Sequence, residues 1–94
     1  MVKEVVWLKK AGKNFNDMLE YLVLDWSNQA AEEFYGKTFS VIENIKKFPD
    51  IGSTSNKQKD LRKFLITKHN YIIYRVLNNK LIISRIVDTR KRNY

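Results

Sequence analysis

The chain has 94 residues, 44% of them apolar and twelve aromatic (two Trp, five Tyr, five Phe), with a net charge of +8. That length makes one domain, residues 1–94, with a single modest core, and that composition excludes disorder. The absence of cysteine excludes disulfides and thiolate chemistry, and a lone His69 among scattered acids leaves no metal and no cofactor to expect.

Residues 2–8 (VKEVVWL) are rich in β-branched and aromatic side chains and predict a short strand, broken by Gly12. Phe15, Met18, Leu19, Leu22, Val23 and Trp26 then recur at helical spacing, with Asn14 as the expected N-cap. Ser27 or Asn28 can cap a second helix from about Gln29 to Phe48, whose stripe is Ala31, Phe34, Thr38, Val41, Ile45 and Phe48. Pro49 stops it, because the residue before a proline disfavours the α region. So short a break folds the two helices into an antiparallel hairpin. Residues 50–60 (DIGSTSNKQKD) are polar and predict a surface loop.

Three strands follow, Leu61–Thr67, Tyr71–Leu77 and Leu81–Val87, the last two joined through Asn78-Asn79, which suits a tight hairpin turn. With Leu77 opposite Lys80, one face holds Tyr71, Ile73, Arg75, Ile82, Ser84 and Ile86. The other holds Ile72, Tyr74, Val76, Leu81, Ile83 and Arg85. Both faces are largely apolar. The helices can cover one, and a chain this short has little left for the second, so a partner is expected there. The order β-α-α-β-β-β predicts an α+β fold, an N-terminal helical hairpin packed on a mainly antiparallel four-stranded sheet.

Charge is unevenly placed. Residues 1–56 carry seven Lys or Arg against eight acids, whereas residues 57–94 carry eleven against two. A folded positive face attracts polyanions or acidic protein segments. The longest apolar runs fall far short of the roughly 20 residues of a membrane helix. The start MVKEVVWLKK lacks the apolar stretch of a signal peptide. A cytoplasmic protein with no membrane partner is expected.

The element order carries several local matches: Lys47-Phe48-Pro49 closing the second helix before a Gly52 loop, Leu61-Arg62 opening the next strand, Tyr71-Ile72-Ile73-Tyr74-Arg75-Val76, and Ile82-Ile83-Ser84-Arg85-Ile86-Val87-Asp88-Thr89-Arg90-Lys91-Arg92. Together they resemble the RelE/ParE superfamily of bacterial type II toxins over essentially the whole chain. The resemblance implies a cytoplasmic toxin of a toxin–antitoxin, plasmid-stabilising system, held in a complex with a cognate antitoxin that wraps it. RelE-like members cut mRNA on the ribosome; ParE-like members inhibit DNA gyrase and are not nucleases. Tyr71 stands where such nucleases tend to carry Arg, which favours the ParE-like branch.

On that reading Arg62, Arg75, Arg85, Arg90, Lys91 and Arg92 are the expected target-binding residues, and Tyr71, Ile73, Ile82 and Ile86 the expected antitoxin-binding residues. Were the chain instead a metal-independent endoribonuclease, Arg62, Lys63, Arg90 and Tyr94 would be the catalytic candidates. RNA cleavage needs a base, an acid and cations for the developing charge, and that set is incomplete here. A non-toxic relative that still binds an antitoxin fits the same residues; a plain nucleic-acid-binding module competes, but no helix here is basic enough to read a major groove and no recognition motif is present. The plainest readings place Trp7 and Trp26 in or beside the core, Tyr71 and Tyr74 in sheet packing with hydroxyls in water, and His69 in an exposed turn.

Overall fold

Hydrophobic period decides the architecture. The computed structural model describes residues 2–90, in the order β1 (Glu4–Trp7), α1 (Lys9–Asp25), α2 (Asn28–Lys47), β2 (Ser53–Asn56), β3 (Leu61–Thr67), β4 (Asn70–Leu77) and β5 (Lys80–Asp88). Five strands form one sheet ordered β1-β5-β4-β3-β2. The pairs of the β2–β5 meander are antiparallel, and β1 joins β5 in parallel. The fold is the expected α+β one with a fifth strand.

The extra strand is β2, within the segment read as loop. Its side chains are all exposed, so no apolar alternation marks it. It forms because β3 offers a free edge of backbone donors and acceptors. Helix α1 also starts earlier than expected. It begins at Lys9, and Gly12 lies inside it rather than breaking the chain. Asn14 is therefore not its N-cap. Helix α2 is capped as expected, with the Ala30 N–H donating to Ser27 Oγ at 3.0 Å. Phe48 ends it as an exposed C-cap.

Both helices pack on one face of the sheet, α1 over β5 and α2 over β3. The core between them holds Phe15, Met18, Phe34, Ile42 and Ile45 against Ile72, Tyr74, Leu81 and Ile83. Trp7 joins its edge, 5.3 Å from the Phe15 ring. Trp26 does not. It is 65% exposed, because α1 ends one residue before it and the backbone swings away.

Asn78 and Asn79 both take positive φ (52° and 61°), the two-residue turn whose twist matches the flanking strands. The expected β4–β5 register runs from Leu77–Lys80 to Tyr74–Ile83 and then shifts, so that Ile73 faces Arg85 and Ile72 faces Ile86. Ser84 is the extra residue of a bulge. The shift turns Ile86 into the core, where it is 6% exposed, and Arg85 out to solvent. The alternation drawn from sequence had these two side chains exchanged. A guanidinium buried against Ile72 without a partner would cost far more than one bulge.

Candidate functional site

The sheet face away from the helices is the candidate surface, and register builds it row by row. Lys63 of β3, Ile73 of β4 and Arg85 of β5 lie side by side. Strand spacing sets the outer two about 10 Å apart at the backbone. Leu65, Tyr71 and Val87 form the row on one side. Arg75, Ile82 and Val6 form the row on the other. A cationic row thus lies between two mainly apolar ones. Leu65 is 58% exposed, Arg85 is exposed, and Tyr71, Ile73, Arg75 and Ile82 are half-buried by their neighbours. Lys63 Nζ sits 5.3 Å from the centre of the Tyr71 ring, within cation–π range.

No described helix covers this face. Among the described residues none of Lys63, Arg75 and Arg85 has an ion-pair partner. The carboxylate that strand register brings to this side is Glu4, at the β1 margin opposite Lys80. The surface can bind an anionic or amphipathic partner. Among the described residues it gathers no general acid and base around one point.

The expected target-binding residues do not form one cluster. Arg75 and Arg85 share the outer face. Arg62 lies on the helix side of the sheet, where it is spent on the α2–β2 connection. Its Nη1 donates to the carbonyls of Gly52 (2.8 Å) and Asp50 (3.3 Å), and Nη2 lies 3.5 Å from Asp50 Oδ1. Arg90 is on the helix side too, paired with Asp88 at 3.3 Å. Lys91, Arg92 and Tyr94 lie outside the described residues. Of the expected antitoxin-binding residues, Tyr71, Ile73 and Ile82 are on the outer face, and Ile86 is in the core.

Two features had no sequence signal behind them. Tyr74 is fully buried, and its hydroxyl is not in water. It donates to the Pro49 carbonyl at 2.7 Å and accepts from the Gly52 N–H at 3.0 Å. Burial raises its pKa, partly offset by the Gly52 hydrogen bond and the Arg62 charge. The second is a cleft of about 210 Å³ between the start of α2, the end of α1 and the β3–β4 turn. Met18, Leu22 and Phe34 floor it, and Glu33, Lys37, His69 and Arg90 rim it. Among the described residues no three His, Asp or Glu side chains gather as metal ligands.

Residues 5–94 match the family described as the ParE toxin of the type II toxin–antitoxin system, parDE. The chain belongs to the ParE toxin family. No curated protein sequence matches it. Solved structures share its fold. A YoeB/ParE toxin from Agrobacterium tumefaciens is 17% identical with a TM-score of 0.66, over 92% of this chain and 98% of that one. A chain of the chromosomal ParDE system from P. aeruginosa is 14% identical with the same score, over 93% and 96%. A chain of the heterotetrameric YoeB-YefM toxin–antitoxin complex from Staphylococcus aureus is 11% identical at 0.64, over 97% of each. Identities this low bear on fold alone, and this ParE-family fold spans both ParE and YoeB proteins. No helix of the described residues is long and apolar enough to cross a membrane.

Proposed function

We propose that this ParE-family chain is the toxin of a cytoplasmic toxin–antitoxin pair, that it inhibits DNA gyrase, and that its cognate antitoxin silences it by covering the outer sheet face. The observation that supports this most is the row Lys63–Ile73–Arg85, flanked by Arg75, on a face that no described helix covers. Inhibition by occupation needs attraction and complementarity rather than proton transfer, and this face supplies cations on an apolar platform. An acidic, amphipathic antitoxin segment would bury the platform and neutralise the cations together.

The test pairs two readouts on purified protein. Supercoiling by gyrase should fall, and ribosome-bound mRNA should stay intact. Loss of mRNA with supercoiling untouched reverses the assignment. The cleft favours that second reading, an endoribonuclease, because Glu33, Lys37, His69 and Arg90 bring acid, base and cation types around one hollow. Under it, Glu33→Gln or His69→Gln would abolish cutting; under the gyrase reading neither changes supercoiling inhibition.

A further inference from the structure

Strand β5 carries a conflict in its own sequence. After Leu81 and Ile83 turn inward, unbroken alternation would bury Arg85 and expose Ile86. The bulge at Ser84 resolves it, but apolar burial alone does not say which residue bulges or how firmly it is held. The neighbouring chain does. Strand β1 borders β5 only as far as Ile83, where the Leu8 N–H donates to the Ile83 carbonyl at 3.0 Å. The chain then turns into α1, and among the described residues no strand borders the rest of that β5 edge. Asn14, on the second turn of α1, fills the gap. Its Oδ1 accepts from the Ile86 N–H at 3.3 Å, linking positions 72 residues apart.

We infer that Asn14 is a positioning residue for the outer face: it clamps the bulge by holding the Ile86 amide and so places the Arg85 guanidinium beside Ile73 and Arg75. Asn14 lies on the helix side and touches none of the face it shapes. The bond selects Ile86 as the first inward-facing residue after the bulge, which makes Arg85 the side chain turned outward. Its functional consequence rests on the reading of that face as the binding surface; its structural content does not.

The test therefore has two arms. In the first, amide exchange is measured on wild type, Asn14→Ala and Asn14→Asp. The Ile86 amide should be protected in wild type. It should exchange at least tenfold faster in Asn14→Ala, with the Ile73–Arg85 cross-strand contact weakened. In Asn14→Asp, which keeps the acceptor oxygen, protection should return. An Ile86 amide already unprotected in wild type, or unchanged in Asn14→Ala, overturns the inference without needing any variant to be active. In the second arm, Asn14→Ala should raise the half-inhibitory concentration against gyrase supercoiling about tenfold, as for a displaced interface cation. In an Arg85→Ala background the same change should add nothing. An equal loss in both backgrounds means Asn14 acts through general stability, and overturns the positioning role. If wild type does not inhibit supercoiling at all, the gyrase reading fails while the exchange arm still decides the clamp.

Discussion

One phenol ties three parts of the chain together. Tyr74, on the central strand, bonds the two sides of the α2–β2 connection through Pro49 and Gly52, and Arg62 grips the same loop from the neighbouring strand. Tyr74→Phe keeps the ring and strands a buried amide and a carbonyl. It should cost about 2–3 kcal/mol and lower the melting temperature by roughly 10–15 °C, measured by thermal unfolding. The hydroxyl also gives a pH signature. Its pKa is raised in the fold, mainly by burial, so the native state holds the phenol proton more tightly than the unfolded chain. That contribution is intact below the ordinary value of 10.0 and is lost as pH rises through the higher native value. Denaturant midpoints of wild type minus Tyr74→Phe should be flat below about pH 10 and converge above it. Gly52 is fixed by the same contact. A Cβ there would stand 2.7 Å from both the Lys63 carbonyl and the Tyr74 hydroxyl. Backbone on one side cannot give way, so Gly52→Ala should destabilise by about 1–3 kcal/mol, read from the same melts.

At the level of elements, the contrast is between positions whose neighbours lie on the same element and positions whose neighbours come from afar. Gly36 is of the first kind: a helical interior with nothing within 4 Å of an added Cβ. Gly36→Ala should stabilise by up to about 1 kcal/mol, a rise of several degrees in melting temperature. The same locality explains what the sequence revealed. Helix α2 from cap to proline, the Asn78-Asn79 turn and the three C-terminal strands rest on residues adjacent in sequence, and all were legible. Strand β2 was not, since Ser53–Asn56 has no apolar phase and exists only because β3 lies beside it. The start of α1 was misread because Gly12 and Asn14 resemble a break and a cap locally, while the chain needs Asn14 for β5. The candidate site divides the same way. Tyr71, Ile73, Arg75 and Ile82 follow from alternation measured off the turn, before the bulge intervenes on β5. Arg85 and Ile86 were exchanged, and the grip of Arg62 on the Asp50–Gly52 loop left no trace, because nothing local says that a loop ten residues back takes its guanidinium. An arginine at a core phase beside an isoleucine at a solvent phase was the available sign of a bulge.

For the whole molecule, charge and stability should respond oppositely to the same substitutions. Lys63, Arg75 and Arg85 sit near one another without ion-pair partners among the described residues. Their mutual repulsion is a small cost to the fold, and an acidic partner would turn it into attraction. Arg75→Glu with Arg85→Glu therefore should leave the melting temperature unchanged or slightly higher, since surface changes of this kind fall within about 0.5 kcal/mol. Association with an acidic cognate antitoxin should slow by roughly 10- to 100-fold at low salt. The dependence of the association rate on salt should flatten, because screening then has little attraction left to remove. Arg62→Glu supplies the contrast. Its guanidinium holds the Asp50–Gly52 loop from the other side of the sheet, so the fold should weaken while the salt slope of association stays nearly as steep. Stopped-flow association across a salt series, run beside thermal melts of the same variants, separates the two. Equal salt slopes in wild type and the double variant would remove the outer face from the encounter, whatever the effect on final affinity.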